Sequence, residues 1–499
     1  MSRIQTNVSS LISQRILGQQ NKSLSTSLER LSTGLRINRG ADDPAGLIAS
    51  ENLRSEKASI TAAIGNAERA DQVINIAEGG LQEINNLLLE VQSLVGQSAN
   101  DAGLSLEEKE ANQLQIDSIL QTIDRIASST SFQGAKLLNG SFDFTISGQA
   151  TTIANYQINA AKLETGDSRT INVLVTGSAQ HAGLFLSAGA AALNLAASTS
   201  SFIVEIAGTK GSRQFTFASG TALTAVAASV NTFTSVTGVS AKVSGTGIVL
   251  KSTGFGSSEF VSVDVVNAGG QAGGVLTLSS INENVATTGS TTAFTAVTNP
   301  LRDSGQDVSA IINGIAATAK GKVARINTDF LDLSLELTTA GSQAAASITA
   351  FTITGGGAKF NLGPNVDISN QASIGIGNVA SRFLGNTTTG FLSALGSGAA
   401  NNVVDGSIED AQIVTDEAIK QVSTLRGRLG AFQSNVIGAT IRSLGVALEN
   451  TSAAESVIRD TDFAAETAKL TRSQILVNAS TNVLAIANAR PQSVLSLLG

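Results

Sequence analysis

Cysteine and tryptophan are absent from this 499-residue chain, which has one histidine, one tyrosine, one methionine and four prolines. Without cysteine there is no disulfide, no thiol nucleophile and no thiolate metal site. A single histidine, His181, excludes a two-histidine zinc motif and leaves almost nothing for a histidine-based triad. It sits in a Ser/Ala/Gly-rich stretch and reads as a loop residue. Asp42-Asp43 is the nearest approach to a carboxylate pair, but its position before a helix start marks it as a cap. No enzyme, cofactor or metal is therefore expected. No run of 18 apolar residues exists, so no segment is expected to cross a membrane. The net charge of −7 is spread along the chain without a basic stripe, which argues against nucleic acid. Met1 to Gln20 is polar at about every second position and lacks the charged-then-apolar order of a cleaved leader. The chain is expected either to stay inside the cell or to leave by a route that needs no such leader.

What remains is 42% hydrophobic, enough for packed cores, but built from small residues and 18 phenylalanines. Charge divides it into zones. Residues 141–400 hold only 13 acidic and 12 basic side chains. The ends are denser in charge and helical in pattern. Ile4, Val8, Leu11, Leu17, Leu24, Leu28, Leu31 and Leu35 define one stripe. After Gly34–Gly40, Asp43 and Pro44 predict a new helix start. Alternating steps of three and four then run through Ile60 to Val95, so that the helix from Pro44, at about fifty residues and 1.5 Å per residue, is about 80 Å long. Ser105 with Glu108 predicts a third helix through a capping box. In the C-terminal zone, Ser407 and Asp410 open a helix whose stripe is Val422, Leu425, Leu429, Phe432 and Val436. Ser452 with Glu455 predicts the restart of a last helix. There Phe463, Leu470, Val477 and Leu484 recur every seventh residue among Ala and Ser. That face is expected to meet neighbouring copies, with an ordinary bundle seam as the alternative.

The middle alternates with period two, as in Leu331, Leu333, Leu335 and Leu337 or Val261, Val263 and Val265. Helical patches are expected at Ala222–Val230 and Asp307–Ile312, suggesting two small α+β modules. Gly355–Gly357 reads as a turn, not a phosphate loop, because no Lys-Ser or Lys-Thr follows. The expected class is α+β and multidomain. A long antiparallel helical coiled coil or bundle comes from both termini, with β-rich outer domains inserted. Boundaries are expected at 1–43, 44–140, 141–404, 405–450 and 451–499.

Several blocks resemble those of bacterial flagellins. They are SLERLSTGLRIN from Ser27 to Asn38, DDPAG from Asp42 to Gly46, EGGLQEIN from Glu78 to Asn85 and FQGAKLLNG from Phe132 to Gly140. At the other end stand NTSAAESVIRDTD from Asn450 to Asp462 and PQSVLSLL from Pro491 to Leu498. The resemblance covers roughly residues 1–140 and 405–499. It implies a subunit that self-assembles into a secreted, extracellular flagellar filament, with type III export, a secretion chaperone, a filament cap and hook-junction proteins as partners. The terminal helices would form the filament core, through Ile4, Val8, Leu11, Leu24, Leu28 and Leu31 at one end. Phe463, Leu470, Val477, Leu484, Val494 and Leu498 would serve at the other. The intervening helices would form a rod, with residues 141–404 as variable surface domains. The family also implies a host innate immune receptor as ligand, met by arginines on one helix. Here the corresponding positions are Leu89, Glu90 and Gln92, which predicts weak recognition. The competing readings are a hook–filament junction protein of the same family and a secreted adhesin.

Overall fold

The computed structural model describes residues 6–495, apart from 101–102, 165, 198 and 283–284; for 278–290 and 491–495 it describes the backbone alone. Long helices occupy both ends: α1 (Val8–Thr33), α2 (Pro44–Ser98) and α3 (Leu106–Ser129) before the middle. Within the middle lie the short α4 (Leu223–Thr232), α5 (Thr234–Thr237) and α6 (Thr339–Gln343). The chain ends with α7 (Ile408–Ala431), α8 (Gly438–Arg459) and α9 (Phe463–Leu495). The chain divides into two compact units. One comprises Met1–Gln72, Asn361–Asn370 and Phe432–Gly499, the other Val73–Phe360 and Gln371–Ala431.

In the first unit, Asn7 caps α1 by accepting from the Ser10 N–H at 3.0 Å. Gly34 ends the helix at φ +75°, a left-handed conformation that an L side chain resists. Of the expected pair only Asp43 caps a helix, while Asp42 bonds back to the link before it. The Asp43 carboxylate accepts from the Gly46 N–H at 2.9 Å, and Asp42 accepts from the N–H groups of Arg39 and Asn38. Those two backbone bonds hold the Asp42 carboxyl below its usual range. The expected restart at Ser452 does not occur, because α8 runs unbroken to Arg459. Glu455 is engaged sideways by Lys57 at 3.0 Å instead of capping. The break falls at 460–462, where Asp462 accepts from the N–H groups of Ala464 and Ala465.

In the second unit, Ile74, Ala77, Leu81, Ile84, Leu88, Val91 and Val95 of α2 are all buried, as the three–four spacing requires. Antiparallel α7 is bonded to this stretch through Arg426 to Glu78 at 2.8 Å and Gln92 to Asp416 at 2.6 Å. The capping box of α3 forms as expected between Ser105 and Glu108. Gly80 lets Thr130 and Leu138, which flank the 131–136 hairpin, approach α2, since a Cβ there would stand 2.8 Å from Leu138 Cδ1 and 2.9 Å from Thr130 Oγ1. The C-terminal stripe loses phase where the first unit resumes, at a π-helical turn, Phe432–Ile437. The wider turn moves Ile437 inward, while Val436 remains exposed.

Residues 379–403, expected to belong to the outer domains, instead cover α3 and α7. Gln113 donates to Leu395 O at 2.8 Å and accepts from the Val403 N–H at 2.9 Å. Asp124 accepts from the Ser381 N–H, and Gln421 exchanges bonds with the Gly385 backbone. Leu392, Leu395 and Val403 are fully buried there. The excursion into the β modules is narrower. It leaves at Gly140 and returns at Asn378, next to which the Val379 N–H meets Leu138 O at 3.1 Å.

Two apolar cores occupy the excursion. The first lies between a five-stranded and a four-stranded sheet, with Phe351, Ile171, Leu333 and Leu335 inside. The second, built around Val204, Val226, Val261 and Leu184, is inserted within the first. The insertion enters and exits where Gln180 and Gln306 bond reciprocally at 2.8 and 3.0 Å. Helix α4 matches the expected patch, but Ser309–Ile312 is a strand, not a helix. Asn313-Gly314, at φ +47° and +85°, turns it into a hairpin by pairing Ile312 with Ile315. His181 lies outside regular structure, yet it is buried. Its Nδ1 is 2.9 Å from Gly254 O and its ring 3.7 Å from that of Phe255.

Candidate assembly surface

Helices α1 and α9 pack antiparallel. Asn7 donates to Ala487 O at 2.7 Å, Ser10 to Asn488 at 2.6 Å and Ser27 to Glu466 at 2.6 Å. On α9 the inward positions are Glu466, Leu470, Ser473, Val477, Ser480, Leu484 and Ala487, alternating steps of four and three. Only Glu466, Ser473 and Ala487 of these are fully buried, and the buried residues of α1 are Ser13 and Ser27, the latter bonded to Glu466. Small and hydroxylated residues let the helices approach closely, but such a seam buries little apolar surface.

Glu466 is the charged member of the seam. Burial pushes its carboxyl up, but the Ser27 hydroxyl, the Lys469 ammonium at 3.1 Å and the Arg30 guanidinium at 4.0 Å outweigh it. Together they hold it below its usual range. The carboxylate thus stays ionised inside the pair and is satisfied by three partners.

Large apolar side chains lie on the outside of the pair. Val8, Leu11, Ile12, Ile16 and Leu28 of α1 are exposed, as are Phe463, Ile475, Leu476, Val483 and Ile486 of α9. A helix pair with apolar residues on several sides and little inside has surface left for another partner.

The structure separates the sequence-predicted residues into two sets. Val8, Leu11, Leu28 and Phe463 face outward, whereas Leu24, Leu31, Leu470, Val477 and Leu484 are half-buried. The heptad face of α9 is therefore a seam within this chain for three of its four members, because Ser473, Ser480 and Ala487 admit α1. Ile4, Leu498 and the Val494 side chain lie outside the described residues. Sequence periodicity missed Ile12, Ile16, Ile475, Leu476, Val483 and Ile486, which lie off the repeating stripe. Their signal was an excess of apolar residues beyond what one helix face can hold. On α2, Leu89 and Glu90 are exposed, but Gln92 is half-buried and bonded to Asp416, so only two of the three expected receptor-facing residues are presented.

Residues 4–143 match the bacterial flagellin N-terminal helical region, and residues 413–498 the bacterial flagellin C-terminal helical region. The chain is 32% identical to the B-type flagellin of Pseudomonas aeruginosa and 30% identical to the flagellin of Salmonella typhimurium. Both alignments cover 99% of each chain. Among solved structures, FliC from Burkholderia pseudomallei aligns with 73% of this chain and 99% of its own at 16% identity. The TM-score of 0.23 is too low to argue from.

Proposed function

Since this chain belongs to the bacterial flagellin family, whose members are structural subunits of the flagellar filament, we propose that its copies join through the outward faces of α1 and α9. The observation that carries this reading is the burial pattern of the helix pair: its fully buried positions are Ser13, Ser27, Glu466, Ser473 and Ala487, its inward leucines and Val477 are only half-covered, and large apolar residues stand outside. Such a pair is only marginally stable in water, because ordering the backbone costs about 1–2 kcal/mol per residue and the seam returns little. Neighbouring copies supply the missing burial.

On the same reading the chain is exported through the flagellar type III apparatus and works outside the cell. A chaperone covers the apolar C-terminal helix beforehand, and cap and hook-junction proteins meet the polymer's ends. The outer β modules are not required for the contacts that build it. A role as junction protein or adhesin gains no support from the full-length likeness to filament subunits. The test is growth on filament fragments, followed by electron microscopy. The intact chain extends the seeds, and a chain ending at residue 484 stays soluble and does not. Extension by the shortened chain would count against the role given to α9.

A further inference from the structure

Two short links join the terminal helices to the longer ones: residues 34–43 between α1 and α2, and residues 460–462 between α8 and α9. They are distant in sequence but lie edge to edge. The Arg36 N–H donates to Arg459 O at 2.7 Å and the Thr461 N–H to Gly34 O at 2.9 Å, forming an antiparallel bridge at Leu35 and Asp460. The Arg36 side chain adds two bonds to a single oxygen, with Nε at 3.1 Å and Nη2 at 2.5 Å from Ile458 O. That carbonyl belongs to the last turn of α8, where no further helical N–H is available and where a cation also complements the helix dipole. Arg36 Nη1 is 3.8 Å from the carboxylate of Asp43, the cap of α2. One residue thus touches the end of α8 through both its side chain and its own N–H, and the start of α2, beside the bridge that joins the two links.

Other features make this contact decisive for the direction of the arms. Helix α8 has no buried residue, so no core around it fixes how the next helix leaves. The 34–43 link, by contrast, is pegged by Ile37, which is 2% exposed. Whatever fastens 460–462 to this link therefore fixes, beside the α1–α9 seam itself, how α9 leaves α8.

We propose that Arg36 is a positioning residue for assembly. It fastens the two links into one joint, so that α1 and α9 are presented as a pair and not as two arms that swing separately. This rests on the filament reading above. Wild-type growth on seeds tests that reading, and it is independent of how the Arg36 variants behave.

The experiment uses full-length Arg36→Ala and Arg36→Lys chains, polymerised on wild-type fragments, with amide hydrogen exchange followed both in the free chain and in the filament. Arg36→Ala is expected to raise the critical concentration roughly tenfold, the scale of losing a hydrogen-bonded charged group. The amides of residue 36 and Thr461 should exchange faster, with unchanged melting of the β modules. Arg36→Lys keeps one donor for Ile458 O and should recover part of both effects. Wild-type critical concentration and exchange in Arg36→Ala would overturn the proposal. So would lost polymerisation with both amides still protected, since Arg36 would then act on a neighbouring copy and not within the joint.

Discussion

Replacing Ile475 by Asp separates the outward face of α9 from its seam. Ile475 is 63% exposed, so nearly two-thirds of its surface remains to be covered by another molecule. Full burial of an isoleucine side chain is worth about 1.5–3 kcal/mol, which leaves about 1–2 kcal/mol for a neighbouring copy. At about 1.4 kcal/mol per factor of ten, losing that contact alone raises the critical concentration roughly tenfold. A carboxylate forced into the same contact costs about 2 kcal/mol or more beyond this, which takes the total beyond roughly a hundredfold. The free chain should hardly notice, because a surface substitution typically changes stability by within about 0.5 kcal/mol. Val477→Asp is the contrast: it is half-buried against α1, so it should weaken the helix pair as well as the polymer. The assay is sedimentation of seeded polymer over a concentration series, beside helix melting followed by circular dichroism. Growth of Ile475→Asp at the wild-type critical concentration would refute the reasoning.

Three further outcomes follow from other parts of the chain. Joining Gly140 directly to Asn378 should remove both β modules and leave seeded growth intact, whereas a deletion extending to residue 402 should destabilise the helices by stripping Leu392 and Leu395 from α3 and α7; electron microscopy and thermal melting distinguish the two. Glu466 carries a lowered carboxyl, so its stabilisation is complete above the ordinary value of 4.5 and disappears as pH falls through the lowered one; Glu466→Gln should flatten the acid dependence of filament depolymerisation in that range. Depolymerised chain should activate a host flagellin receptor reporter weakly, and Glu90→Arg should raise the response, since Glu90 is exposed and places a negative charge where the resemblance to flagellins implies arginine.

The helices were legible in the sequence wherever one mechanism dominated. Asp43-Pro44 and Ser105-Glu108 mark helix starts by local bonds alone, and the Ile60–Val95 spacing matches burial along α2. The failures had competing physics. Ser452 and Glu455 have the composition of a capping box, but Lys57, brought near only by folding, and Arg459, one turn on in the same helix, take the carboxylate. The 307–312 patch looked helical until Asn313-Gly314, a turn signal just beyond it, is given its weight. The covering segment 379–403 has no period of its own and is seated by Gln113, Asp117 and Asp124 from a helix far away in sequence. At the assembly surface, large residues at a seventh-residue spacing signalled an interface correctly but not its partner. Spacing fixes which residues share a face, not whether the chain itself covers that face.

The central claim is that the outward faces of α1 and α9 become buried between copies. Amide hydrogen exchange of the free chain and of the seeded filament, compared peptide by peptide, tests it most directly. Residues 8–33 and 463–490 should exchange quickly in the free chain and become protected by roughly a hundredfold or more on polymerisation, reflecting the marginal burial of the pair alone. The inserted module around Val204 and Val261 should exchange alike in both states. Protection that appears on this module while both terminal helices exchange unchanged would contradict the account.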